Sequence, residues 1–268
     1  GNLEGDRYLD WISEVLSKSI RLLGEGGSLV VEIGNAWDPG QPTMSTLPLK
    51  SLLAIAERAE MQVCQQFVCH NPARLPGPAQ WVNIERRRVK DSYTHVWWFA
   101  KDPGVTADNR KVVQEYSPSM QRLLKSQKYN SGKRPSGWDI GEESFLKDHG
   151  GAIPGNVLTY ANTSDDPCYR GWCREAGVPV HPARMQRSLV EFFVRFLTEP
   201  GDLVIDTFAG SNVVGSVAER LGRNWLAIER SEEYLIGSMG RFQEKQHRLT
   251  ARHDPFRTFV RSIRSNSK

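Results

Sequence analysis

The chain has 268 residues, of which 39% are hydrophobic and 25% are charged, as in a typical globular protein. Its 35 Lys and Arg residues outnumber its 31 Asp and Glu residues, so the formal net charge is +4. This mild positive charge permits a polyanionic partner without requiring one. No apolar run approaches membrane-spanning length and no secretory leader is visible, which excludes a membrane-spanning helix within these residues. The length suits one large α/β domain with an inserted segment.

Helical and strand patterns alternate over the first hundred residues. Apolar residues from Tyr8 to Leu23 recur with helical spacing, and Asp6 is a candidate N-cap. The strands predicted after this helix are residues 28–33, 63–69 and 93–100, with a second helix at 49–61. Because strands that alternate with helices usually pair in parallel, the pattern predicts a mostly parallel sheet.

The four cysteines fall into two pairs, Cys64 with Cys69 and Cys168 with Cys173, each with four intervening residues. A zinc site is the functional alternative, since zinc-ligand pairs usually have two to four intervening residues, but Cys64 and Cys69 flank a predicted strand. We therefore predict free, reduced intracellular thiols and no metal site.

Residues 101–180 differ in composition from the rest of the chain. They are polar, rich in Lys, Arg, Ser, Asn and Gly, and weakly periodic; the run from Lys133 to Trp138 combines basic and hydroxyl side chains with Pro and Gly. Such side chains can bond phosphates or base edges. A solvated surface insertion explains the composition equally well, but a segment of this length with little core usually has a binding role. We therefore favour a binding segment.

The chain after residue 200 predicts a strand, a turn of small residues, a helix and a second strand. The first strand, residues 203–205, ends at Asp206, and the second, residues 225–228, ends at Glu229. Small residues such as Gly210 let the backbone approach a ligand closely. An acid at the end of the second strand is placed to accept hydrogen bonds from ribose hydroxyls. The pattern is typical of a nucleotide-binding α/β half.

The turn does not suit a dinucleotide. Gly210 and Gly215 are five residues apart with no Gly-x-Gly before them, and the carboxylate of Asp206 enters the turn, where it repels phosphate. That carboxylate can instead lie near a cationic, methionine-type cofactor. The alternative is an ordinary βαβ unit whose glycine serves only the turn.

The C-terminal part predicts one more helix and a basic tail. Residues 234–246 have a helical pattern, and residues 241–268 carry eight Lys or Arg residues against two acids. Such a tail is most often a solvated helix end or a disordered segment. Phosphate contact is a secondary role for it.

Together these motifs resemble those of the β-type amino DNA methyltransferases of bacterial restriction–modification systems, and in particular their cytosine-N4 enzymes. The matching pieces include Asn71-Pro72-x-x-Leu75-Pro76, Trp81-Val82-Asn83, Arg88-Val89-Lys90-Asp91, Val96-Trp97-Trp98-Phe99, Arg134-Pro135-Ser136-Gly137, His181-Pro182-Ala183-Arg184 and the run from Asp206 to Asn212. The match covers nearly the whole chain. The resemblance implies an α/β fold with a Rossmann-like, S-adenosylmethionine-dependent methyltransferase sheet and an inserted target-recognition region.

The resemblance also implies a domain organisation and site residues. Residues 1–100 form the catalytic half, 101–180 the target-recognition region, 181–246 the cofactor-binding half and 247–268 a basic tail. The residues implied to bind S-adenosylmethionine are Asp206, Thr207, Phe208, Ala209, Gly210, Ser211, Asn212, Glu229, His181, Pro182 and Arg184. The residues implied to contact DNA are Arg88, Lys90, Lys133, Arg134 and Ser136.

One motif of that family is missing from the sequence. The family's catalytic loop, Ser-Pro-Pro-Tyr or Ser-Pro-Pro-Phe, activates the exocyclic amine and stacks on the flipped base. No Pro-Pro dipeptide occurs in these 268 residues. We therefore assign no catalytic residue in this chain and expect the loop upstream of Gly1. The alternative is a catalytically silent DNA-binding remnant.

The resemblance implies methyl transfer from S-adenosylmethionine to the N4 amine of a flipped cytosine in duplex DNA. Adenine-N6 methylation is the close alternative, and an RNA or small-molecule methyltransferase is the weaker one. Double-stranded DNA is the implied partner, together with a cognate restriction endonuclease that acts on the same site without direct contact. The family implies a bacterial cytoplasmic location on the nucleoid, or a nuclear location in a eukaryote.

Overall fold

The computed structural model describes residues 5–141, 143, 145–161 and 166–243. Its strands are β1 (Ser28–Gly34), β2 (Gln62–His70), β3 (Tyr93–Ala100), β4 (Gly132–Lys133), β5 (Asp139–Ile140), β6 (Val157–Thr159), β7 (Leu203–Asp206) and β8 (Asn224–Ala227). Its helices are α1 (Gly5–Ile20), α2 (Leu47–Arg58), α3 (Pro118–Ser126), α4 (Pro167–Glu175), α5 (Arg187–Leu197), α6 (Val213–Arg220) and α7 (Glu232–Ser238). None of the helices in these ranges combines the length and apolarity that crossing a membrane requires.

The main sheet has four strands in the order β1-β3-β2-β6, and β3 runs against both of its neighbours. The prediction of a mostly parallel sheet is therefore wrong for β3. The segment between β2 and β3 contains only a short π-helical turn, Gln80–Ile84, and no α-helix. A parallel pair needs a crossover across the sheet face, and without one the chain turns back and β3 pairs antiparallel.

Alternate residues of β3 enter two different cores. Trp97 and Phe99 pack with Ile12, Ile55 and other residues of α1 and α2 on one face of the sheet. On the other face, Val96 and Trp98 pack with the phenylalanines of α5. Because successive strand residues point to opposite faces, one aromatic strand anchors helices on both sides.

Helix α5 joins the two halves of the molecule. Its Phe192 and Phe193 pack against the main sheet, whereas Val190 and Val194 pack against Val213 and other residues of α6. Strands β7 and β8 form a separate parallel pair. This arrangement places the second α/β unit beside the main sheet, with α5 between them.

A cavity of about 720 Å³ lies between these two sheets, and we call it the interstrand cavity. Within the described ranges, β1 pairs on one side only, with β3, and β7 pairs on one side only, with β8. Both strands line the cavity, through Leu29 and Val30 of β1 and through residues Leu203–Ile205 of β7, and Phe193 of α5 lines it too. Two unpaired strand edges thus face one apolar cavity.

Two elements of the predicted recognition region belong to the body of the protein. Strand β6 pairs in parallel with β2, and α4 buries Tyr169 and Cys173 completely. The Trp172 indole N–H donates to the carbonyl of Ile236 near the end of α7, at 2.8 Å. The short hairpin β4–β5 and α3 make up most of the remaining regular structure in this region.

Candidate cofactor site

Two carboxylates lie together where β7 and β8 end. The strands are in parallel register from Leu203 with Asn224 to Asp206 with Ala227, so Asp206 and Glu229 reach the same sheet edge. The N–H of Ile228 donates to the Asp206 carbonyl at 2.8 Å. The Glu229 carboxylate accepts the N–H of Gly210 at 2.8 Å and the N–H of Ser231 at 2.7 Å. Glu229 therefore ties the turn after β7 to the loop after β8.

The turn between β7 and α6 is built on two left-handed residues. Gly210 has φ +50° and Asn212 has φ +53°. The Asn212 side chain caps α6 by accepting the N–H of Gly215 at 2.9 Å. A Cβ at Gly215 would lie 2.3 Å from Asn212 Oδ1 and 2.8 Å from the Trp225 ring. Asparagine tolerates the left-handed conformation and caps a helix, so this one residue meets both requirements of the turn.

The Asp206 carboxylate is suited to bind a cation. Its Oδ1 accepts the N–H of Phe208 at 2.9 Å. Burial raises the pKa of Asp206 above its ordinary value of 3.8; the Phe208 N–H opposes that rise, and the charge of Glu229 adds to it. The charged form of a carboxylate in such surroundings is stabilised by a positively charged ligand. The site therefore suits a cationic cofactor better than a phosphate.

His181, one of the residues implied to bind the cofactor, lies against the same turn. A Cβ at Gly210 would come within 2.9 Å of His181 Nε2, so glycine is required there for close approach. The imidazole packs edge-on against Tyr234, with ring centroids 4.4 Å apart. The backbone N–H of His181 donates to the Tyr169 hydroxyl at 3.0 Å. Its Nδ1 is buried and has no hydrogen-bond partner among the described residues.

The remaining predicted cofactor residues surround this centre or adjoin it in sequence. Ala209 and Ser211 are buried in the turn, and Thr207 lines the interstrand cavity. Phe208 is 52% exposed, and its ring lies 5.8 Å from that of Trp11 in α1, in an edge-on arrangement. Pro182 is exposed and Arg184 half-buried in the loop between His181 and α5. An exposed aromatic face beside two acids is suited to a nucleoside.

The predicted DNA-contacting residues occupy two surface regions. Arg88 and Lys90 line a cleft of about 660 Å³ together with Trp37 and Met44. The Arg88 guanidinium donates to the Pro42 carbonyl at 3.0 Å, and the Lys90 ammonium to the Arg74 carbonyl at 3.1 Å. Both side chains are thus held in place by backbone carbonyls.

The second region is the β4–β5 hairpin. Lys133 and Ser136 are exposed there, and Trp138, directly before β5, is 72% exposed. The backbone N–H of Arg134 donates to the Trp138 carbonyl at 2.8 Å, which closes the turn. The hairpin therefore presents a basic and an aromatic side chain to solvent.

Sequence reasoning missed Arg241, which it placed at the start of a solvated basic tail. The Arg241 side chain is only 2% exposed and forms an ion pair with Asp166. Burial lowers its pKa, and Asp166 opposes that shift. Residues 247–268 of the predicted tail, and the end of the predicted helix 234–246, lie outside the described residues. A basic residue at the edge of a charged run carries no sequence signal for burial.

The chain is similar to known DNA methyltransferases. Residues 1–238 match a family described as DNA methylase. The chain is 41% identical to the type II methyltransferase M.PvuII of Proteus hauseri over 244 residues, covering 90% of this chain and 72% of the relative. It is 23% identical to the DNA adenine methyltransferase YhdJ of Escherichia coli, covering 90% of this chain and 69% of that protein.

Among solved structures, the PvuII cytosine-N4-specific DNA methyltransferase superposes with a TM-score of 0.72 at 34% identity, covering 90% of this chain and 72% of that one. The resemblance recognised from the motifs and the Rossmann-like methyltransferase fold are thereby confirmed. This chain therefore belongs to the DNA methylase family that includes the amino methyltransferases of restriction–modification systems.

Proposed function

We propose that this protein transfers a methyl group from S-adenosylmethionine to the exocyclic N4 amine of a flipped cytosine in duplex DNA. The observation that carries the proposal is the placement of Asp206 and Glu229 at adjacent strand ends, around the turn at Gly210. The choice of cytosine is supported by the higher identity to M.PvuII, at 41%, than to the adenine enzyme YhdJ, at 23%.

The residues of the site fit S-adenosylmethionine. Each Glu229 oxygen already accepts one backbone N–H, and each keeps a second lone pair for a ribose hydroxyl. Asp206 supplies negative charge for the cationic methionine part. Gly210, lacking a side chain, lets His181 lie against the turn. When bound, the cofactor supplies an electrophilic methyl group on a sulfonium.

Activation of the acceptor amine is the step for which these 268 residues contain no Ser-Pro-Pro-Tyr-type motif. The lone pair of the cytosine amine is delocalised into the ring, so the amine needs hydrogen-bond acceptors to localise its electrons toward the methyl group. We propose that a Ser-Pro-Pro-Tyr-type loop on another segment of the polypeptide supplies them. M.PvuII is longer than this chain, which covers 72% of it.

The interstrand cavity offers a position for the segment that carries this loop. Neighbouring strands lie about 4.8 Å apart, so a strand inserted between β1 and β7 can satisfy both unpaired edges and join the two sheets into one. A strand running parallel to β7 ends on the same side as Asp206. A loop at that end then stands beside the cofactor site, where the methyl group is transferred.

The surface residues support contact with duplex DNA. The proposed contacts are Arg88, Lys90, Lys133, Arg134 and Ser136. The basic side chains among them supply affinity by contacting phosphates. A restriction endonuclease that recognises the same DNA site is the proposed functional partner, without direct contact. Action on the bacterial nucleoid makes the cytoplasm the proposed location.

The proposal is tested by tritiated methyl transfer from S-adenosylmethionine to unmethylated plasmid DNA, followed by digestion to nucleosides. This chain is assayed beside a longer gene product that includes the proposed catalytic segment. Label in N4-methylcytosine with the longer form supports the proposal, and label in N6-methyladenine contradicts the choice of base. DNA binding without transfer by either form favours a catalytically silent module.

A further inference from the structure

We infer that Arg241 is a positioning residue that holds the cofactor turn in its binding conformation. It lies in the short 3₁₀ turn Met239–Arg241 that follows α7. Its Nε donates to the carbonyl of Ser211, and a terminal nitrogen donates to the Ser211 hydroxyl at 3.0 Å. One guanidinium therefore binds two acceptors of a single residue in the turn. This inference rests on the proposed use of that turn for S-adenosylmethionine.

The same guanidinium is fixed from two further directions. Its other terminal nitrogen pairs with the Asp166 carboxylate, just before α4. Its central carbon lies 4.4 Å from the centroid of the Tyr169 ring. The planar fork of arginine can serve several acceptors at once while its face stacks on an aromatic ring, which lysine cannot do.

The Arg241 contacts reach both walls of the proposed cofactor site. Ser211 belongs to the turn that contains Gly210, and the Tyr169 hydroxyl accepts the backbone N–H of His181 at 3.0 Å. His181 in turn lies against Gly210. Arg241 and Tyr169 thus couple the turn after β7 to the loop before α5. A change at Arg241 is therefore expected to shift both the turn after β7 and the loop before α5.

The groups that accept hydrogen bonds from Arg241 are largely shielded from water. Ser211 is 3% exposed, and Asp166 is half-buried. Without Arg241, the Ser211 carbonyl and hydroxyl and the Asp166 carboxylate lose a shared donor in a place that water reaches poorly. Buried acceptors without partners are unfavourable, so the turn is expected to move toward water and lose its alignment with Glu229 and His181.

The test measures affinity for S-adenosylhomocysteine by titration calorimetry, using the full chain and the variants R241Q, R241K and S211A. Binding is measured well below the unfolding temperature of each variant. We expect about a 30-fold weaker Kd for R241Q. R241K recovers part of that affinity because it restores charge but not the fork, and S211A, which removes one acceptor, weakens binding about threefold. The matched control is R58Q, which removes an exposed arginine that pairs with Asp10 and should leave the Kd unchanged.

A purely structural role for Arg241 predicts a different result. In that case R241Q lowers the unfolding temperature while the folded protein keeps a Kd within twofold of the unaltered chain, which overturns the inference. If R241Q fails to fold, an unchanged Kd for S211A overturns the inference. If R241Q loses affinity for the cofactor and for DNA by the same factor, the defect is general, and this result also overturns the inference. If neither the unaltered chain nor the longer gene product binds S-adenosylhomocysteine, the proposed function itself fails.

Discussion

The imidazole of His181 lies so close to Gly210 that a methyl group on Gly210 would come within 2.9 Å of its Nε2. Gly210 also has φ +50°, a conformation that L-residues adopt at a cost of roughly 1–2 kcal/mol. We therefore expect Gly210→Ala to displace His181 and to weaken S-adenosylhomocysteine binding at least tenfold. Calorimetric titration of the purified variant measures the change.

Gly222→Ala is the matched control for this substitution. Gly222 has φ +76°, and a Cβ there meets no atom within 4 Å. Both variants thus carry the left-handed penalty, but only Gly210→Ala presses on His181. Equal binding losses in the two variants would show that backbone strain, and not the contact with His181, shapes the site.

Asn212 combines a left-handed backbone with a helix cap, and two substitutions separate these roles. Asn212→Ala loses the cap to Gly215 and retains the strained φ, so we expect it to lower the free energy of unfolding by about 2 kcal/mol. Asn212→Gly relieves the backbone and should cost only about 0.5 kcal/mol. Urea titration of both variants measures the difference, and equal losses would contradict this division.

The raised pKa of Asp206 predicts a pH-dependent effect on stability. A carboxyl whose pKa is higher in the folded protein favours folding below its unfolded pKa, near 3.8, and loses that contribution as pH rises through the folded pKa. Asp206→Asn removes the unfavourable charge beside Glu229. We therefore expect the variant to be more stable than the unaltered protein at pH 7 and the difference to vanish below about pH 4.

Urea unfolding of both proteins at pH 7 and at pH 3.5 checks this prediction, and cofactor binding is measured alongside. The expected result is a more stable protein that binds S-adenosylhomocysteine less tightly. A variant that is less stable at pH 7 would mean that the Asp206 charge is already compensated without ligand.

The sequence predicted the second α/β unit well because its signals are local. The apolar strand, the acids at positions 206 and 229 and the small-residue turn lie within thirty residues, and the structure brings them together with His181. The direction of β3 and the burial of Arg241 were not predictable in this way. Both depend on distant segments: β3 on the missing crossover helix, and Arg241 on Asp166 and Tyr169, which come some seventy residues earlier.

The β4–β5 hairpin gives a prediction about DNA binding. Lys133 and Trp138 are both exposed on it. If Lys133 contacts a phosphate, Lys133→Ala weakens binding of all duplexes alike and reduces the slope of log Kd against log salt by about 0.9. Lys50→Ala, an exposed lysine on α2, is the control of equal charge. Fluorescence anisotropy at several salt concentrations makes the measurement, and identical slopes for the two variants would remove Lys133 from the interface.

The interstrand cavity predicts that Leu203 behaves differently in this chain and in a longer gene product. Leu203, at the start of β7, is 58% exposed here and lines the cavity. If a further strand fills the cavity, that strand covers Leu203 in the longer protein. We then expect Leu203→Asp to cost about 2 kcal/mol of unfolding free energy there, but well under 1 kcal/mol in the 268-residue chain.

Leu53→Asp, at a leucine of α2 that is 57% exposed, should cost little in either length. Urea titration of the four variants and the two unaltered chains decides between these outcomes, because an equal effect of Leu203→Asp in both lengths means that no strand covers that edge.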